Sequence, residues 1–330
     1  MRTAWVVFAA TIIVLPLMPG CNNAAAERQL LTVDFHQAEV LRYRFVSSRD
    51  IEVNWGPPRR SRSGKLRDKI DKSFESMDMV VAYTPLEVDP YGLSTIKATC
   101  EKVKVKRSPR KSRRGPVTEP AEAFSGKSFT FTVDARGKIY DYSQLDQLIR
   151  QIGAKAFRPN SRTGRVKDPD MISDFIATQY FLWDSVSSIK QAAEGVATGQ
   201  SWTSKLSVPN PMVLRKARDV TYTLDEIRDT QKGRVAVIRS SYSPSESVPK
   251  SWPNPYPAGT LRLSGVFGFL GRYRLLSLQG KAEELFNIDT GQTQQLNQQY
   301  QMQLEASLQL PMAKKPVVTI KQNLQMQLLE

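Results

Sequence analysis

The chain has 330 residues, two cysteines, one histidine and a formal charge of +15 at neutral pH. One histidine excludes a histidine-rich metal centre, and the lack of any Cys-x-x-Cys pair excludes zinc ribbons and thioredoxin-like redox sites. No phosphate-binding glycine loop, GxSxG elbow, HExxH or EF-hand pattern occurs, so no cofactor or metal is expected and a non-catalytic role is the reading adopted.

Residues 1–26 read as an export signal: Arg2, an apolar run from Ala4 to Leu15, then Pro16 and small residues. The run is shorter than the about 20 apolar residues that a spanning helix needs. Two exits compete. Leu17-Met18-Pro19-Gly20-Cys21 resembles the lipobox of bacterial lipoproteins, which would make Cys21 the lipid-attachment site; Met18 and Pro19 depart from that pattern. Ala24–Ala26 offers an A-x-A cut that would discard Cys21. Either route leaves Cys100 without an intrachain partner. Both put the mature chain outside the cytoplasm, periplasmic or lipid-anchored in the cell envelope.

Residues 27–142 read as a first β half. His36 stands at the start of its first strand, far from any nucleophile motif. In "EVLRYRFVSS" the side chains of Leu41, Tyr43 and Phe45 share a face. Two strands then meet at the Asp89-Pro90-Tyr91-Gly92 turn, and Cys100 falls on the second as a half-buried thiol. Phe129, Phe131 and Val133 alternate into the turn Asp134-Ala135-Arg136-Gly137.

Two basic loops, 57–73 and 102–121, interrupt this half. Arg59–Lys72 holds seven basic residues against two acidic, and Lys102–Arg114 holds eight against none. Their Ser, Gly, Pro and Arg content predicts extended, solvated segments. Arg59, Arg60, Arg62, Lys104, Lys106, Arg107, Arg110, Lys111, Arg113 and Arg114 are the candidates for contact with an anionic surface. Stacking aromatics are absent from both tracts, so nucleic acid is not an expected partner.

Residues 143–195 read as helical. Leu145, Leu148, Ile149 and Ile152 recur at helical spacing between a Ser143 cap and a Gly153 stop. A longer helix is predicted from Asp168 and Pro169 to Gly195, with Ile172, Phe175, Ile176, Gln179, Leu182, Trp183, Val186 and Ile189 as its stripe. Strands resume over 196–330; Val220, Tyr222 and Leu224 share one face, as do Tyr300, Met302 and Leu304. "FTFTVDARG" and "ELFNIDTG" form a repeat in which Asp134 and Gly137 correspond to Asp289 and Gly291, with one residue fewer in the second turn.

Together these residues predict a mainly β (α+β) fold. It would be a long curved antiparallel sheet of two related halves with a central amphipathic helical lid. The "LRYRF" strand, the Gly199-Gln200-Ser201-Trp202 stretch and the paired Asp/Gly hairpins resemble an uncharacterised family of bacterial envelope proteins. The outline is similar to the half-barrels of periplasmic lipoprotein carriers, and that resemblance implies a fold, not an activity.

Three functions are weighed. A binding module would hold an apolar ligand or an envelope protein on the sheet, with Phe175, Trp183, Phe267 and Phe269 as lining residues. A scaffold would attach to anionic surfaces through the basic loops. A histidine-independent hydrolase would need paired acids, but Asp134, Asp168, Asp170 and Asp289 sit where turns and helix caps explain them.

Overall fold

The computed structural model describes residues 27–37, 39–56, 59–60, 66–67, 70–108, 119–156, 170–207, 217–249, 270–308 and 315–329. The short β1 (Arg28–Gln29) precedes the long β2 (Leu41–Asn54). Then come β3 (Arg59–Arg60), β4 (Leu66–Arg67), β5 (Ile70–Val88), β6 (Ser94–Arg107) and β7 (Ser128–Val133). Helices α1 (Ser143–Ala156), α2 (Asp170–Tyr180) and α3 (Asp184–Ser187) follow. Next is the short β8 (Val196–Ala197), then β9 (Ser201–Ser207), β10 (Ala217–Thr230) and β11 (Gly233–Pro244). The chain closes with β12 (Leu270–Asn287), β13 (Gln292–Leu308) and β14 (Val317–Leu329).

Ten of these strands form one antiparallel sheet in the order β7-β6-β5-β2-β14-β13-β12-β11-β10-β9. The sheet is open, with β7 and β9 as its edges. Every neighbour follows in the chain's own sequence of long strands except β2 and β14, where the first and last meet across thirteen paired positions from Val317↔Asn54 to Leu329↔Arg42. Both halves therefore belong to a single sheet. The stretch between β7 and β9 has to travel from one edge to the other, and the helices make that crossing.

Alternation decides which face they cover. Leu41, Tyr43, Phe45, Ile51 and Val53 of β2 are buried, while Arg42 and Arg44 point outward to Glu101 and Asp78 at 3.1 and 2.9 Å. On the buried face Phe175 of α2 stacks on Phe124 at 4.0 Å and meets Phe129 of β7 edge-on. Farther across, Trp183 packs on Tyr83 of β5, and the Trp202 indole of β9 donates to the Ser185 carbonyl at 2.7 Å. Each fully buried aromatic or aliphatic side chain contributes about 1.5–3 kcal/mol by leaving water.

Several local expectations change. The N–H of Ser143 is received by the Asp141 carboxylate at 2.8 Å, so Asp141 does the capping. Gly153 does not stop α1, which continues to Ala156; a glycine costs a helix only about 1 kcal/mol, and Ala-Lys-Ala follows it. The long helix is broken at Phe181–Trp183 into α2 and α3. Tyr142 donates its hydroxyl to the Tyr180 carbonyl at 3.2 Å, and the Asp184 N–H turns to Phe181 instead. Asp168 and Pro169 lie outside the described residues. Lys102–Arg107 belong to β6, because Val103 faces the core and Val105 packs partly against it. Within the other tract, Arg59–Arg60 pair with Leu66–Arg67.

The repeated hairpins converge on the N-terminal segment. Val33 donates its N–H to Ala135 at 2.7 Å and Asp34 donates to Gly291 at 3.2 Å, while Leu31, Val33 and Phe35 are buried. A side chain at Gly291 would place Cβ 2.5 Å from the Asp34 nitrogen, and one at Gly137 would strike Trp183 at 2.6 Å. Both glycines have positive φ, 64° and 77°.

Candidate functional site

The middle of the covered face is polar. Tyr242, Gly280, Tyr300, Gln322, Arg49, Glu75 and Arg107 are successive cross-strand partners on β11, β12, β13, β14, β2, β5 and β6. They form one transverse row across the sheet. Gly280 carries no side chain because Cβ there would lie 2.4 Å from that of Tyr300 and 2.8 Å from the Tyr242 ring.

At the first-half end of the row, fully buried Arg49 forms an ion pair with Asp174 of α2 at 2.8 Å and lies 3.8 Å from Glu75. Glu75 also binds Arg107, which reaches Glu119 at 2.9 Å. Ser47 and Gln322 donate to the other Asp174 oxygen, and Tyr300 donates to Gln322 at 2.6 Å. Burial pushes the Asp174 carboxyl up; Arg49, Ser47 and Gln322 oppose that push. These contacts dock α2 on β2 and β14.

At the second-half end the row opens into a cavity of about 60 Å³ beneath the α2–α3 break. Phe45, Phe181, Leu206, Ile238, Leu296 and Met326 give it apolar walls; Asp184, Arg218, Tyr222, Tyr242, Glu284 and Gln298 give it polar ones. That volume holds roughly two waters. Ready-made sites for drug-sized ligands are several-fold larger, about 300 Å³ and upward.

Arg218 dominates the polar wall. It is 4% exposed, and its guanidinium lies 4.4 Å from the Tyr242 ring centroid and 5.2 Å from that of Tyr300. Nη2 donates to the Gln298 carbonyl oxygen at 3.1 Å, whereas Nε and Nη1 have no hydrogen-bond partner. The carboxylates nearby are turned to hydroxyl groups. Asp184 receives Ser204 at 3.0 Å and Tyr222 at 2.9 Å; Glu284 receives Thr293 at 2.8 Å. Burial pushes each of these carboxyls up to about 6.

Phe175 and Trp183 are core residues and do not line the cavity. Phe267, Phe269, Cys21, Arg62, Arg110, Lys111, Arg113 and Arg114 lie outside the described residues. Arg59 and Arg60 sit on β3. Lys104 and Lys106 are exposed on β6, while Arg107 is occupied by Glu75 and Glu119. Among the described residues no three His, Cys, Asp or Glu side chains converge as a metal site.

Arg218 and its neighbours escaped the sequence reading, although a trace of them was legible. Arg218 shares its parity with Val220, Tyr222 and Leu224, so a charged residue occupied an inward position. Arg49 stands likewise in step with Leu41, Tyr43 and Phe45.

No family model matches this chain. No curated protein matches it either. Among solved structures one match is lipovitellin, from a structure of "lipid-protein interactions in lipovitellin". It has 11% identity and a TM-score of 0.42, over 90% of this chain and 26% of that one. This chain thus spans about a quarter of the lipovitellin chain. The likeness is too distant to carry a functional argument.

Proposed function

We propose that this chain is a non-catalytic, exported envelope protein, lipid-anchored through Cys21, that binds an apolar or amphiphilic ligand between its helical layer and the second half of the sheet. The observation that carries this reading is the cavity at the α2–α3 break, with apolar walls on one side and Arg218 on the other. Its small volume suits one end of a ligand, and the short α3 is the piece whose movement would admit more. The family resemblance of the Asp/Gly hairpins and the "LRYRF" strand is consistent with an envelope location.

The test is native mass spectrometry of protein purified from its own envelope. A small molecule should be released on denaturation, and acyl mass should be found on Cys21. Ala282 lines the cavity, and Ala282→Leu should empty it of ligand while the fold persists. Repeated recovery of empty wild-type protein overturns the binding reading.

A second reading makes the protein a scaffold held on anionic surfaces. It is favoured by exposed Lys104 and Lys106, which lead along β6 toward the tract ending at Arg114. Removing residues 110–114 should then abolish salt-sensitive sedimentation with anionic phospholipid vesicles. Unchanged sedimentation ends that reading.

A further inference from the structure

We infer that the cavity is a carboxylate site in which Arg218 receives the anionic end of the ligand. This rests on the binding function proposed above and names its ligand class. The unpartnered Nε–H and Nη1–H groups belong to a side chain that is 4% exposed and lines the cavity. A guanidinium fork of this kind matches the two oxygens of a carboxylate and takes them bidentately. The Gln298 side-chain nitrogen, also buried without a partner, adds another donor toward the same space. What these three buried nitrogens lack is an acceptor.

The protein's own carboxylates do not fill that gap. Among the described residues none of them accepts from Arg218 Nε or Nη1; Asp184 receives Ser204 and Tyr222, and Glu284 receives Thr293. A buried charge left without a counter-ion costs several kcal/mol, so an arriving carboxylate gains more here than at the surface. The aromatic faces of Tyr242 and Tyr300 keep the guanidinium in place for it. Beyond the carboxylate, the apolar wall from Phe45 to Leu296 suits hydrocarbon. A volume for roughly two waters takes the carboxylate; the hydrocarbon behind it has to pass the α2–α3 turn.

Groups of both signs face the site from four elements: Asp184 on α3, Arg218 and Tyr222 on β10, Tyr242 on β11 and Glu284 on β12. A bound carboxylate adds negative charge beside Asp184 and Glu284, so its binding should take up protons and tighten between pH 7.5 and pH 5.5.

The experiment is calorimetric titration of the full mature chain with butyrate, octanoate and methyl octanoate at constant ionic strength. Octanoate should bind at least tenfold more tightly than its methyl ester, and Arg218→Gln should erase that preference. Because the acid–ester comparison uses wild-type protein, it holds even if the variant fails to fold. Butyrate binding as tightly as octanoate identifies a small carboxylate as ligand; weaker butyrate binding identifies an amphiphile. Equal affinity for acid and ester overturns the carboxylate site and leaves apolar binding standing. Binding of none of the three overturns both.

Discussion

Arg49 shows what a single inward charge demands of a fold. It has no exposed surface, and Asp174 with 1% side-chain exposure is the carboxylate that meets it. Such a pair adds little net stability over an apolar pair, yet removing one partner strands the other in a low dielectric. Asp174→Asn should therefore lower the unfolding free energy by about 3–5 kcal/mol. Arg49→Met combined with Asp174→Leu should recover most of that loss. Urea denaturation of the single and double variants measures both, and additive losses would refute the pairing. The same contact explains why β2 outlasts its apolar alternation. Leu41, Tyr43 and Phe45 announced the strand, but the stretch read from the sequence stops at Ser48, short of Arg49, whose partner is 125 residues away on α2.

At the level of elements, the N-terminal segment is a strap across the two corresponding hairpins. It bonds to Ala135 in one and to Gly291 in the other, and Phe35 lies 5.4 Å from Trp183 in an edge-on contact. Gly291 has no room to change, since the Asp34 backbone occupies the place of a Cβ. A left-handed conformation costs a non-glycine residue about 1–2 kcal/mol, and overpacking adds about 1–3. Gly291→Ala should thus destabilise the protein by about 2–5 kcal/mol. It should also release residues 27–37 to limited proteolysis; an unchanged cleavage pattern would show that the strap is not held there. The helix break belongs to this level too. The stripe from Ile172 to Ile189 was correctly apolar, with most of its members buried. Its continuity was broken by Tyr142, a residue outside the segment that takes the carbonyl an unbroken helix would use.

For the molecule as a whole, burying Asp184 and Glu284 links stability to pH. Both carboxyls have folded values of about 6, above their ordinary values of 3.8 and 4.5. The folded state then binds more protons than the unfolded state between these limits. Their contribution is greatest below about pH 4 and is lost as pH rises through about 6, which is opposite to a salt-bridged carboxylate such as Asp289. The loss is about 2–3 kcal/mol for each group. Glu284→Gln should flatten the pH dependence of stability between pH 4 and 7, as read from urea midpoints at each pH. A slope equal to that of the wild type would mean that Glu284 titrates as an exposed acid.

Strands, turns and faces were legible in the chain because side-chain alternation and glycine-dependent turns are local properties. Phe129–Val133, Val220–Leu224 and Tyr300–Leu304 needed no knowledge of their neighbours. The pairing of β2 with β14 and the edge-to-edge path of the helices came only with the folded structure. Cross-strand register depends on partners hundreds of residues apart. The cavity shows the difference most clearly. Phe175 and Trp183 have the apolar character expected of a ligand wall, but the same character suits a core, and packing placed them in the core. Arg218 shares the inward parity of Val220, Tyr222 and Leu224, but only the assembled β10, β11 and β13 enclose it with Tyr242, Tyr300 and Gln298. Burial assigns such a group its chemistry, and burial is a property of the assembled sheet.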